Sequence, residues 1–205
     1  MKKTNNKGFS LVELIIVIAI MAILAGAIAP ALIKYIDKSR KSNDVSSAKT
    51  IKTAIETALG NESIYEYITG GTGFCYISIE PGKSMTTGTT GAEQAITITG
   101  ASTETINGKT SAELMKIAQN TIGGNIGEKS PKLKYQKDPS GAKSSTSKPS
   151  KFVGVVSQAG TVYVFIQCGT TALQVTDQGA SSTGVKPSNG TIGYQITPYI
   201  CDEYQ

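Results

Sequence analysis

The sequence predicts an α+β fold in which one long N-terminal helix packs against an antiparallel β-sheet head. Three observations carry this. Residues Phe9 to Ile33 form an apolar run whose only charge is Glu13. Apolar residues then recur at helical spacing as far as Leu59, and from Asn61 onward glycine, serine and threonine rise and the pattern changes to short alternating segments. A chain of 205 residues has room for this helix and one head of ordinary domain size, and little room for a second full domain.

The composition removes much familiar chemistry. With no histidine and three cysteines, the chain holds no Ser-His-Asp triad, no histidine-ligated zinc and no Cys-His nucleophile. Ser-x-x-Lys spacings occur at Ser46–Lys49, Ser140–Lys143 and Ser145–Lys148. They are expected by chance in a chain this rich in both residues, and the Ser-Asp-Asn and Lys-Thr-Gly companions are missing. The expectation is therefore a structural protein, with no enzyme activity, no cofactor and no metal. The formal charge of +5 owes much to Lys2, Lys3 and Lys7. The remainder is close to neutral, so no clustered nucleic-acid footprint is present, and nucleic acid is not a required partner.

The helix is justified first. As an α-helix, Phe9–Ile33 is roughly 37 Å long, more than the ~30 Å hydrocarbon core of a bilayer, so it can span one. A basic start followed by an apolar core also describes a secretory signal, but here the apolar run continues past the length of an ordinary one. Asp37, Lys38, Arg40 and Lys41 mark the exit into water. Beyond them Val45, Ala48, Ile51, Ile55 and Ala58/Leu59 keep the three-and-four spacing of one buried stripe. Gly60-Asn61 is the expected stop, giving one helix over residues 9–59.

Glu13 is the anomaly in this run. A charge central in a spanning helix costs roughly 2.5–3.5 kcal/mol, less near an end, and calls for a partner or a function. A simpler reading places it favourably in the first helical turn, against the macrodipole. Its neighbours change the balance. Lys7-Gly8-Phe9-Ser10-Leu11-Val12-Glu13-Leu14 resembles the prepilin signature of type IV pilins and related pseudopilins, a resemblance covering about the first 60 residues. It implies the type IV pilin fold, and removal of residues 1–8 by a prepilin peptidase that cuts between Gly8 and Phe9. It further implies N-methylation of Phe9, and pairing of Glu13 with the free amine of Phe9 on a neighbouring subunit.

Further expectations follow from the same resemblance. Residues 9–35 become the membrane and later filament-core half of the helix, residues 36–60 its amphipathic half, and residues 61–205 the head. Gly26 and Pro30 weaken the helix locally, and in similar pilins a glycine and proline in this region allow part of it to unwind in the filament. The small-residue spacings among Ala22, Ala25, Gly26 and Ala29 allow close helix approach, and equally reflect ordinary membrane-helix composition. The implied partners are identical or related pilin subunits, the peptidase, the membrane and the inner-membrane assembly machinery. The implied location is the cytoplasmic membrane, then an extracellular filament serving adhesion, twitching motility or biofilm formation. The alternatives are a pseudopilin of a secretion or competence system, and a signal-anchored binding domain that never polymerises.

In the head, strands are predicted at Phe74–Ile79, Ala95–Thr99, Phe152–Ser157, Thr161–Cys168, Leu173–Asp177 and Tyr194–Ile200. The Gln158-Ala159-Gly160 link suits a hairpin with a glycine bulge. A short helix begins at the capping box Thr110-Ser111-Ala112-Glu113 and is expected to end at Gly123-Gly124. From Gly123 to Lys151 the chain is rich in lysine, serine, glycine and proline and is expected to be an exposed loop. Asn61-Glu62-Ser63 and Asn189-Gly190-Thr191 match a glycosylation sequon, a weak signal. Three cysteines permit three pairings with one thiol left over. Many pilins staple their C-terminal region, so a Cys168–Cys201 bridge is one outcome, with Cys75 then a buried thiol. Another leaves all three as small buried apolar groups. A shared zinc has no histidine to complete it.

Overall fold

A computed structural model of the chain describes residues 8–85, 95–139, 148–177, 185–187 and 192–205. In chain order the elements are α1 (Leu11–Leu59), α2 (Glu62–Thr69), β1 (Cys75–Ile79), β2 (Ile96–Thr99), α3 (Ser111–Ile126), β3 (Pro149–Val156), β4 (Val162–Cys168), β5 (Val175–Asp177), β6 (Val185–Pro187), β7 (Ile192–Thr197) and a 3-10 turn at Asp202–Tyr204. The chain divides into two compact units, Met1–Ser39 and Arg40–Gln205.

The first unit holds the opening turns of α1. Its large apolar side chains, from Leu11 through Ile36, are exposed, and the helix is long and apolar enough to cross a membrane. Pro30 lies inside it. Such a surface is stable in a hydrocarbon solvent, where the helix satisfies its own backbone groups.

The second unit is built on the rest of α1. Val45, Ala48, Ile51, Ala54, Ile55 and Ala58 are buried on one stripe, the stripe predicted from spacing with Ala54 added. The sheet is antiparallel, with strand order β2-β1-β3-β4-β7, and β5 and β6 form a separate two-stranded ladder. Together the helix and sheet give the α+β, type IV pilin-like fold the sequence predicts. The best-predicted piece, the β3–β4 hairpin, pairs Val156 with Val162 across Ser157–Thr161, and Gly160 takes φ +78° there.

Both faces of the sheet are covered. Phe152, Val156, Ile77, Ile79, Val164 and Ile166 share a core with Ile51 and Ile55 of α1. Val153, Val155 and Phe165 form a second core with Leu173 and Val175. Burial on both sides explains why β3 and β4 read as near-continuous apolar runs rather than strict alternations. Gly154 lies directly under Ile55 of α1: a Cβ there would collide with Cδ1 of Ile55.

Four expectations are corrected or extended. Asn61 does stand at the end of α1, but it also starts α2, its side chain accepting from the Ile64 N–H at 3.3 Å. Gly123-Gly124 do not end α3, which runs to Ile126 because Gly123 is packed into its buried face. The stretch from Gly123 to Lys151 is not simply an exposed loop. It begins in α3, and Ser130, Leu133, Tyr135 and Asp138 are buried. Local composition fails there because the partners are distant in sequence: Ser130 Oγ accepts from the Lys83 N–H at 2.8 Å and donates to the Glu80 carbonyl at 2.6 Å. Residues 140–147 of that stretch, and with them the whole Ser140–Lys143 match and Ser145 of the Ser145–Lys148 match, as well as the Asn189 sequon, lie outside the described residues. β7 stops at Thr197 rather than Ile200, since Pro198 has no N–H to give a ladder.

Candidate assembly site

The N-terminal site is assembled by the first turn of α1. Ser10 precedes the helix, its carbonyl accepting from the Leu14 N–H at 3.2 Å. Glu13, at the third helical position, turns back so that Oε2 accepts from the Ser10 N–H at 2.9 Å. This is the acidic half of a capping box, which satisfies an N–H that the helix leaves without an internal partner. The Ser-x-x-Glu spacing that signals it is present in the sequence.

Gly8 and Phe9 are exposed, Phe9 at 81%, and nothing lies within 4 Å of a Cβ built on Gly8. Gly26 is likewise open, and α1 is helical through both Gly26 and Pro30. The structure thus brings Ser10 and Glu13 together in one turn, with Phe9 beside them. Residues 1–7 of the expected leader lie outside the described residues.

A second acid on α1 was not singled out by the sequence. Asp44 is 0% exposed, and its two oxygens accept from consecutive backbone N–H groups, Lys134 at 2.6 Å and Tyr135 at 2.9 Å. Burial raises its pKa above the usual carboxylate value, opposed by those two bonds. One turn earlier, Lys41 Nζ donates to the Glu203 carbonyl and lies 5.0 Å from the Tyr135 ring centre and 5.9 Å from that of Tyr204. Tyr135 and Tyr204 meet edge to face at 6.2 Å. A signal was available: Asp44 lies four residues before Ala48, in line with the apolar stripe.

The three cysteines complete the candidate residues. All three are free thiols, Cys75 and Cys168 buried and Cys201 partly so, and burial pushes each up to about 12. Cys201 lies near enough to Cys168 to raise it further. Cys168 and Cys201 are not joined in this structure, which is the other arrangement the sequence left open, with the cysteines as small, largely buried apolar groups. Among the described residues no group of three or more His, Cys, Asp or Glu side chains could hold a metal ion.

Comparison with known proteins bears on the N-terminal site. Residues 3–29 match the family described as the prokaryotic N-terminal methylation motif. The chain is 46% identical over 57 residues to the type IV major fimbrial protein FimA of Dichelobacter nodosus. The N-terminal segment is thus similar to that of type IV pilins. Pilin similarity extends to Fimbrial protein Q of Moraxella bovis, 48% identical over 54 residues, and to the type IV major pilin protein PilA of Myxococcus xanthus, 35% over 70 residues. These matches cover 28%, 26% and 34% of this chain and 36%, 34% and 32% of those pilins. The chain therefore spans about a third of the length of the curated relatives it matches. No solved structure is significantly similar.

Proposed function

We propose that this chain is a filament-forming pilin subunit, held in the cytoplasmic membrane by α1 until cleavage between Gly8 and Phe9 and then assembled through Glu13. The observation that carries this reading is a single exposed acid in the first turn of a helix that is otherwise apolar as far as Ile33. Cleavage creates an α-amine at Phe9 that is cationic at neutral pH, its unperturbed pKa being about 7.7–8.0. In an apolar environment two isolated charges are far costlier than one pair. A carboxylate has about four lone-pair sites, so Glu13 keeps acceptor capacity for a neighbour's amine beside its bond to Ser10. Methylation of Phe9 keeps that charge. Removing the leader also discards Lys2, Lys3 and Lys7, which oppose extraction across the bilayer.

Exposed apolar residues from Phe9 to Ile36 then supply cohesion between helices in the filament, and Gly26 and Pro30 are where the helix opens. The head forms the filament surface, serving adhesion, motility or biofilm formation. Intact mass and N-terminal sequencing of protein sheared from the cell surface is expected to show a chain beginning at methylated Phe9. A chain retaining Met1 and confined to membranes would leave an anchored, non-polymerising binding domain instead. Glu13→Ala is expected to lower the yield of sheared filaments on the order of a hundredfold or more. Undiminished yield would overturn the pairing role.

A further inference from the structure

The second unit carries its charge unevenly. Lys83, Lys129, Lys132, Lys134 and Lys137 are all exposed, and the fold gathers them onto one surface. Segment 128–138 is tied to segment 80–85 by backbone bonds: the Met85 N–H donates to the Glu128 carbonyl at 2.8 Å, the Gly82 N–H to that of Ser130 at 3.2 Å, and the Ser130 N–H to that of Lys83 at 2.8 Å. Burial of Leu133 and Tyr135 leaves Lys132 and Lys134 facing water. Two residues apart, their Cα atoms are separated by at most about 7 Å, within a Debye length at physiological salt. The exposed acid of segment 128–138 is Glu128. Asp138 is buried, and the neighbouring Glu80 is engaged by Lys151 at 3.3 Å. Asp202 and Glu203 belong to the C-terminal turn, where Lys41 donates to the Glu203 carbonyl.

Opposite charge collects around α2. Glu62 and Glu66 are exposed on that helix. The Ser102 N–H donates to the Tyr67 carbonyl at 2.8 Å, and the Glu104 N–H donates to Ser102 Oγ at 3.2 Å, which brings the exposed Glu104 alongside. Asn107 Nδ2 donates to Ser63 Oγ at 3.0 Å, and Tyr67 is hydrogen-bonded to the Ser111 side chain, so the exposed Glu113 in the first turn of α3 lies in the same neighbourhood. Lys109 and Lys116 are the exposed cations beside it. These glutamates and the lysine face are held apart within one molecule. Lys134 meets α1 at Asp44, whereas α2 begins just past Leu59, fifteen residues or about 22 Å further along the helix.

We propose that the lysine face docks the α2 end of a second copy of this chain, head to tail. The inference rests on the proposed function and names which surfaces of neighbouring heads meet. Like charges held on one ordered surface repel; an oppositely charged surface relieves that repulsion, steers encounter and fixes the orientation of the partner. Two different patches that fit each other make a heterologous contact, which continues from copy to copy as an open filament wherever the rotation does not close a ring. Apolar contact between helices supplies cohesion without direction, whereas this contact gives every head one partner at its α2 end and another at its lysine face. Each exposed ion pair is weak and screened by salt, and repetition along a filament multiplies it.

The test is zero-length carbodiimide cross-linking of sheared wild-type filaments, which joins an amine to a carboxylate only where the two touch. Peptides linking Lys132 or Lys134 to Glu62, Glu66 or Glu104 are expected, and the separation within one chain does not allow them. Filaments that yield no such peptides would overturn the contact alone. A wild type that makes no filaments would overturn it together with the filament reading on which it rests. Charge reversal reads the same contact as yield. Lys132→Glu with Lys134→Glu, and Glu66→Lys with Glu104→Lys, are each expected to lower sheared filament about tenfold while the melting temperature of the head stays at the wild-type value. All four changes together are expected to recover most of that loss. Undiminished yield from both pairs, or a fourfold variant no better than either pair, would overturn the proposal.

Discussion

The two halves of α1 are made of similar residues and put them to opposite use. Before residue 40, isoleucine, leucine and alanine face outward on all sides of the helix; after it, the same residue types line one stripe buried under the sheet. Each half also carries one acid that breaks its apolar pattern. Asp44 is sealed in and bonded twice to backbone of the same chain, whereas Glu13 is exposed and bonded once, to Ser10. A lone acid in an apolar helix is thus either consumed by its own fold or left open to a partner, and accessibility separates the two.

The sharpest way to break this comparison is to make one change in both halves. Ile51→Ala, at 0% exposure, is expected to cost about 2–5 kcal/mol of head stability by opening a cavity. Ile18→Ala, at 54% exposure, is expected to leave it unchanged. Thermal melting of the full chain in detergent micelles, followed by the tyrosine signal of the head, checks both. Equal losses would mean that the first half is also part of the folded core.

A smaller effect probes the helix–sheet contact. Gly154→Ala is expected to cost about 1–3 kcal/mol in the same melting experiment, since the new methyl group meets Ile55 Cδ1, whose side chain is fully enclosed.

The smallest effect is a pH dependence. Because burial raises the folded Asp44 pKa above the unfolded value of about 3.9, the unfolded chain gives up that proton first as pH rises. The stability linked to this group is therefore fully present below the unfolded pKa and lost as pH climbs through the folded one. Comparing wild type with Asp44→Asn from about pH 3 upward, the wild-type advantage is expected to shrink with rising pH and then level off. An advantage that grows with pH would mean that the two backbone bonds outweigh desolvation.

What the sequence revealed and what it hid have physical explanations. The stripe of α1, the Thr110–Glu113 box, in which Glu113 Oε2 accepts from the Thr110 N–H at 2.8 Å, and the β3–β4 hairpin are local patterns set by neighbours within a few residues. Helix α2 was hidden because Asn61 does two tasks at once, and a stop signal masks a start. The place of the Lys134–Tyr135 segment was hidden because its backbone N–H groups bond to Asp44, 90 and 91 positions away in the chain. At the N-terminal site the residues and their spacing are readable, and the Ser-x-x-Glu spacing also carries the bond from the Ser10 N–H to Glu13.

The edge of the sheet carries a consequence of its own. Strand β2 is a margin of the sheet, and Gln119 of α3 donates its side-chain amide to the Ile96 carbonyl at 2.7 Å from a buried position. A backbone group that could template another strand is already taken by a side chain of the same molecule. A second head meeting this edge would therefore find one fewer vacant rung on which to pair.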